Sequence, residues 1–155
     1  MTDVGEYAPD FTLPRDNGEE LTLSSLRPKL VVLFFFPKAD TGGCTKEAVA
    51  FTEMREQFAA AGAEVIGISK DTSVRLSRFR EKHDLGVTLL SDSAHDVCER
   101  YGVWVEKRMY GKTYMGIERS TFLIGGEGLV YKAWRKVRVA GHVEAVLETV
   151  KTTKA

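Results

Sequence analysis

Cysteine is scarce in this sequence, since only Cys44 and Cys98 occur in 155 residues. A secreted scaffold held together by disulfides needs more cysteines than this, so the sequence argues against that class and favours a reducing cytoplasm. Paired C-x-x-C motifs are absent, and His83, His95 and His142 do not have H-x-x-x-H spacing. We therefore expect no metal site and no cofactor, and we place the three histidines at the surface.

An excess of charge and a long hydrophobic run are missing as well. With 22 basic and 22 acidic residues the chain has no net charge, so nothing in its charge attracts nucleic acid. The longest apolar run, 30–36, stops at Pro37. It is far shorter than the ~20 residues of a membrane-spanning helix, which argues against a membrane partner. The amino terminus has no basic cluster before an apolar stretch, so we expect no signal peptide and no export.

Alternating strand and helix patterns organise the chain, in which 43% of the residues are hydrophobic and 28% are charged. No repeat or linker divides it, and we predict one domain over 1–155 that buries roughly 70% of its unfolded surface. Strands are predicted around 12–13 and 21–23 and over 30–36, 64–69, 87–90, 120–124 and 129–134, and helices over 41–61, 72–83, 95–101 and 142–150. This order predicts an α/β fold with a central mixed β-sheet flanked by helices.

The segment between Trp104 and Arg119 is expected to be a long loop, and loops of that length are often functional. Its side chains Tyr110, Tyr114 and Met115 are expected either to wall a substrate pocket or to close the edge of the core. The sequence leaves both possibilities open.

The most informative stretch is 37–44, between the most apolar strand and the first long helix. If Thr41 is the N-cap of that helix, Cys44 falls at position N3, among backbone N–H groups without intrahelical acceptors and near the positive end of the helix dipole. Both features favour the thiolate, which is the nucleophilic form of cysteine. Thr41 and the amides of Gly43 and Cys44 are also placed to hold an oxygen on which negative charge develops.

Each of these residues also has an ordinary structural explanation. A free cysteine is usually a small buried hydrophobe, a threonine here caps a helix, and a proline stops a strand. The joint spacing of Pro37, Thr41 and Cys44 favours a nucleophilic cysteine over three separate coincidences.

The same spacing resembles the active-site signature of the peroxiredoxins, Pro-x-x-x-Thr/Ser-x-x-Cys, which Pro37, Thr41 and Cys44 match. Further segments are similar to the Q-type, or bacterioferritin-comigratory, branch of that family, and the similarity covers nearly the whole chain. These segments are 8–14, 44–48, 101–104 and 116–124.

The resemblance implies a thioredoxin-like fold and a thiol-dependent peroxidase that reduces hydrogen peroxide and organic hydroperoxides. Cys44 would attack the peroxide and become a sulfenic acid. Thr41 and Arg119 would be the other catalytic residues, with Pro37 and Gly43 in the substrate pocket. Thioredoxin, glutaredoxin or a small thiol would then reduce the enzyme, which we expect to be a monomer as relatives in this branch often are.

Two assignments that rest on the resemblance have alternatives. Without the signature, Arg119 would be taken for an exposed strand residue in a weak surface ion pair. Glu47 matches an acidic pocket position that orients this arginine in relatives, and it fits equally well as a favourable charge in the first turn of a helix.

The sequence departs from the branch in its cysteines. Q-type relatives often carry a resolving cysteine five positions after the peroxidatic one, where this chain has Val49. Cys98 is the only internal candidate, and it is either a resolving thiol or a buried structural residue, the usual state of a free cysteine. We therefore expect an external reductant or a slow Cys44–Cys98 disulfide that requires local unfolding.

A second departure is Gly42, where relatives usually have proline. Glycine adds freedom to the unfolded chain and costs on the order of 1 kcal/mol of preorganisation. Because of Gly42 and Val49, a redox sensor or holding protein with little turnover is an alternative function. A disulfide oxidoreductase is a further alternative, but it would need a C-x-x-C motif at the helix start.

Overall fold

The computed structural model describes residues 2–153. This part of the chain forms nine strands, five helices and one 3-10 turn. The strands are β1 (Thr12–Pro14), β2 (Glu20–Thr22), β3 (Leu30–Phe35), β4 (Ala63–Ser69), β5 (Thr88–Ser91), β6 (Trp104–Met109), β7 (Lys112–Ile117), β8 (Ser120–Ile124) and β9 (Val130–Trp134). The helices are α1 (Gly42–Glu53), α2 (Arg55–Ala60), α3 (Ser73–His83), α4 (Val97–Arg100) and α5 (His142–Thr152), and the 3-10 turn is Leu23–Leu26.

A five-stranded mixed sheet in the order β5-β4-β3-β8-β9 forms the centre of the fold. β3 pairs in parallel with β4 and antiparallel with β8, so both of its edges are occupied. All six of its residues are buried, which explains why its sequence is continuously apolar rather than alternating. The predicted central mixed sheet flanked by helices is confirmed.

Alternate residues of β3 divide the interior into two cores. Val32 and Phe34 face one core, together with side chains of α1, α2, α3 and α5, whereas Leu33 and Phe35 face the other, together with α4, β1 and β2. The two faces follow from the two-residue period of a strand. Both cores matter for function because the two cysteines fall on different sides of this sheet.

The helix predicted over 41–61 is in fact two helices, α1 and α2, that meet at Met54. The Arg55 guanidinium donates to the Thr52 carbonyl oxygen at 2.8 Å, and the Thr52 hydroxyl donates to the Ala48 carbonyl oxygen at 2.8 Å. Such side-chain bonds compete with the helical backbone ladder and bend a helix. The prediction of a single helix was therefore wrong.

The segment between Trp104 and Arg119 is a hairpin of β6 and β7 rather than a loop. Its two turn residues, Tyr110 and Gly111, both have positive φ, at 52° and 76°, as a tight two-residue hairpin turn requires. Tyr110, Tyr114 and Met115 are exposed, so they do not close the core edge. The sequence signal was weak because tyrosine stands where asparagine or aspartate usually marks such a turn.

None of the helices within 2–153 has the length and apolar character needed to cross a bilayer. No group of three or more histidine, cysteine, aspartate or glutamate side chains in that range is arranged to hold a metal ion.

Candidate active site

The loop after β3 and the first turn of α1 place the cysteine. Thr41 is the N-cap residue with an extended backbone, and α1 begins at Gly42, so Cys44 lies at N3 as predicted. The Thr41 hydroxyl donates to the Lys38 carbonyl oxygen at 2.8 Å and does not cap an amide of α1. Pro37 is half-buried at the start of this loop.

Arg119 approaches Cys44 from the junction of β7 and β8. Its Nη2 lies 3.4 Å from Cys44 Sγ, and its Nη1 donates to Glu47 Oε1 at 2.8 Å. The register Phe35↔Ser120 explains the meeting, because it puts Arg119 beside the end of β3 where the loop to α1 begins. Cys44 is 1% exposed, and its sulfur contacts a partly buried guanidinium. It also lies in the first turn of α1, where backbone amides have no intrahelical acceptors.

Glu47 is fully buried and is one turn beyond Cys44 on α1. Burial raises the pKa of Glu47 to about 7, although the charge and hydrogen bond of Arg119 oppose the shift. Its second oxygen, Oε2, has no hydrogen-bond partner within residues 2–153. The first turn of α1 contains no acidic residue, so Glu47 is not a first-turn charge. Its carboxyl group binds Arg119 instead.

His142 lies next to Glu47 and is only 6% exposed, so its predicted surface location was wrong. It is the first residue of α5, with its Nε2 2.8 Å from the Thr121 hydroxyl and 4.0 Å from Glu47 Oε2. Burial, followed by the charge of Arg119, lowers the pKa of His142 to about 4. No spacing pattern in the sequence connects His142 with Thr121 and Glu47, so the sequence alone could not predict that they lie together.

Lys107 is a second residue that the sequence did not single out. It is half-buried on β6, and burial, followed by the charge of Arg119, lowers its pKa. The interaction with Cys44 changes the pKa of Lys107 in the opposite direction. The hairpin thus adds a second cation to the surroundings of Cys44.

Gly43 leaves the space that Arg119 occupies. A Cβ atom at this position would lie 3.0 Å from Arg119 Nη2, whereas a Cβ at Gly42 would meet nothing within 4 Å. Of the two neighbouring glycines, only Gly43 lies against the site.

We expect Gly42→Pro to stabilise the protein by about 0.4–1 kcal/mol, since it restricts the unfolded chain. Gly42 is the first residue of α1, where proline is favoured and the N–H has no intrahelical acceptor. Thr41 before it has the extended backbone, φ −93° and ψ 157°, that a following proline needs. The urea midpoint measures the gain.

The matched substitution Gly43→Ala should act on catalysis instead. If Cys44 reacts with peroxide as the resemblance implies, displacement of the Arg119 guanidinium should slow its oxidation by roughly tenfold or more, since small misplacements of groups at a reacting atom are costly. Stopped-flow kinetics with hydrogen peroxide measure this rate. Equal rates for Gly43→Ala and wild type would contradict the packing argument.

Cys98 lies apart from this site. It is 0% exposed in the core on the α4 side of the sheet, whereas Cys44 belongs to the core on the other side. Its amide donates to Asp92 Oδ2 at 2.8 Å, and burial, together with the Asp92 carboxylate, raises the pKa of its thiol. The folded structure therefore keeps the two thiols apart and favours the structural interpretation of Cys98.

Known proteins are similar to this chain over most of its length. The model of the AhpC/TSA family matches residues 4–133. Peroxiredoxin Bcp of Bacillus subtilis is 47% identical over 149 residues, which are 96% of this chain and 95% of that protein. Among solved structures, Xanthomonas campestris peroxiredoxin Q superposes with a TM-score of 0.89 at 39% identity, covering 97% of this chain and 96% of its own.

A second Xanthomonas campestris structure, of the bacterioferritin comigratory protein, also has a TM-score of 0.89, at 38% identity and with 97% and 96% of the two chains covered. It comes from trapped intermediate and ligand complexes that bear on the alkyl peroxide reduction activity of that protein. These likenesses confirm the predicted thioredoxin-like fold.

Proposed function

The chain belongs to the AhpC/TSA family as a thiol-dependent peroxidase of the Bcp or Q type, and from that premise we propose that Cys44 is its peroxidatic cysteine. Arg119 and Thr41 complete the reacting site in this proposal. Glu47, Gly43 and Pro37 shape the pocket around them.

The reaction begins with the Cys44 thiolate. Its sulfur attacks the terminal oxygen of a hydroperoxide, so that an S–O bond forms while the O–O bond breaks. The attacked oxygen keeps its hydrogen, and the leaving oxygen takes a proton from solvent to become water or an alcohol. The products are a Cys44 sulfenic acid and the reduced substrate. Negative charge moves from sulfur to the leaving oxygen, so fixed donors that hold both atoms lower the barrier.

Arg119 and the first turn of α1 supply these donors. The guanidinium contacts Cys44 Sγ at 3.4 Å, and the amides of Gly43 and Cys44 have no intrahelical acceptor. The Thr41 hydroxyl donates to Lys38, so its oxygen is left to accept the O–H of the hydroperoxide. The arginine–sulfur contact at the start of a helix is the observation that carries the proposal.

Reduction of the oxidised cysteine depends on an external thiol. Cys98 lies across the sheet from Cys44, and Val49 takes the place of a resolving cysteine on α1. Thioredoxin, glutaredoxin or a small thiol completes the cycle of a monomeric, single-domain enzyme in the cytoplasm. Cys44 is 1% exposed, so a reductant larger than a peroxide needs the first turn of α1 to open.

Intact-mass spectrometry after one equivalent of hydrogen peroxide tests this proposal. We expect a gain of one oxygen at Cys44 that an external thiol reverses, because no second thiol is within reach in the folded chain. A loss of two hydrogens would instead indicate a Cys44–Cys98 disulfide and contradict the external reductant. An unmodified mass would contradict the peroxidatic cysteine itself.

The deep burial of Cys44 also fits a redox sensor with little turnover, since access of a reductant limits the cycle. Steady-state turnover with thioredoxin, compared with the rate of a single oxidation, separates the two functions. Turnover close to the rate of that first oxidation identifies the enzyme, and oxidation without turnover identifies the sensor.

A further inference from the structure

A buried polar cluster lies against Arg119, and two of its three residues have no role in the reaction described so far. It consists of Glu47, Thr121 and His142, which are 0%, 0% and 6% exposed. The ring of His142 is packed edge-on between Phe51 and Trp134, with centroids 6.4 Å and 5.9 Å away. The imidazole is therefore held in one place.

Thr121 decides which nitrogen of His142 carries the proton. The hydrogen bond of 2.8 Å to His142 Nε2 is the one bond that the Thr121 hydroxyl makes within residues 2–153. A buried hydroxyl needs an acceptor for its proton, so the hydroxyl is assigned as the donor and Nε2 as the acceptor. The proton of the neutral imidazole is then on Nδ1.

With Nε2 in this state, Glu47 Oε2 faces no donor. Oε2 lies 4.0 Å from His142 Nε2 and has no partner within the described chain, while Oε1 alone receives Arg119. A buried carboxylate with an unsatisfied oxygen is costly, and the site lowers that cost by binding a proton. The raised pKa of Glu47, about 7, agrees with this reasoning.

The groups that carry or exchange charge around Glu47 come from four elements. Cys44 is on the same helix, Arg119 lies between β7 and β8, and His142 begins α5. Lys107 on β6 is close enough to act on Arg119 and Cys44. Arg119 thus contacts both Cys44 and Glu47. A negatively charged Glu47 would offset part of the positive charge of Arg119, and the Cys44 thiolate would then be stabilised less.

The geometry points to His142 as a positioning residue: by accepting from Thr121, it withholds a donor from Glu47, keeps a proton on that carboxyl, and so leaves the charge of Arg119 to Cys44. This inference rests on the proposed peroxidase reaction. It assigns to His142 no contact with substrate, since it acts through Glu47 and Arg119.

The pH profile of Cys44 oxidation tests the inference. As the pH rises through about 7, Glu47 ionises, and the rate constant for hydrogen peroxide should fall along a descending limb. In His142→Gln, the side-chain amide has an oxygen that can accept from Thr121 and an NH₂ group that can donate to Glu47 Oε2. In Thr121→Val, His142 Nε2 is free to carry the proton and donate. Both variants should move the limb to lower pH, by about one unit.

His95→Gln is the matched control, because His95 is exposed and should leave the limb in place. A loss of rate at every pH with an unmoved limb would show that His142 is only structural. A shift of the limb to higher pH would overturn the inference. Infrared difference spectra of wild type against Glu47→Gln at pH 6 should show the carbonyl band of a protonated carboxylic acid, and its absence would overturn the inference. Failure of wild type to react with peroxide would instead contradict the proposed function.

Discussion

Replacement of Cys44 by serine is expected to abolish peroxide consumption, the largest effect of any single substitution in this protein. Serine nearly preserves the size of a core side chain that is 1% exposed, so the fold should survive. Its hydroxyl does not ionise near neutral pH and attacks the O–O bond far more weakly than a thiolate. Stopped-flow consumption of hydrogen peroxide with a thiol reductant measures the loss.

Cys98→Ala is the control for this experiment. Cys98 is buried on the other side of the sheet, so its truncation should cost stability and leave the rate of the first oxidation intact. Equal peroxide consumption by Cys44→Ser and wild type would remove the enzymatic role from Cys44. A loss in Cys98→Ala as large as that in Cys44→Ser would show that the two thiols act together.

Arg119→Met should lower the rate constant of Cys44 oxidation by about 10²–10³, the usual cost of removing one donor from a site where charge develops. The thioether keeps the apolar stem and loses both the contact with Cys44 Sγ at 3.4 Å and the bond to Glu47 Oε1 at 2.8 Å. Arg119→Lys should recover only part of the rate, since one ammonium cannot reproduce the fork that serves both groups.

Arg108→Met provides the comparison, because Arg108 is an exposed arginine on the same hairpin. In single-turnover oxidation by hydrogen peroxide, the Arg108→Met variant should have the same rate constant for Cys44 oxidation as wild type. If Arg119→Met also kept the wild-type rate, the guanidinium would be a structural ion pair and the free amides of α1 would carry the stabilisation alone.

The parts of the site that the sequence could predict are close together along the chain. The apolar run of β3, the proline after it and the helix start are local signals, so the position of Cys44 at N3 of α1 follows from them. Arg119 is distant in sequence, and only the family resemblance connected it to Cys44. The pairing of β3 with β8 supplies the physical reason for that connection.

The parts that could not be predicted depend on tertiary packing. His142 has the sequence context of a helix start, and its burial against Phe51 and Trp134 results from the way α5 packs on the sheet. The break at Met54 depends on a side-chain bond from Arg55 that competes with the helix. The hairpin of β6 and β7 was missed because its exposed side chains provide little alternation of apolar and polar residues.

The placement of the two cysteines on opposite faces of the sheet determines what becomes of the oxidised enzyme. In the proposed reaction no internal thiol traps the Cys44 sulfenic acid, which then reacts with whichever arrives first, an external thiol or a second peroxide. The second peroxide yields sulfinic acid, which ordinary thiols do not reverse. The fraction of the protein that stays active therefore depends on the ratio of thiol to peroxide to which it has been exposed.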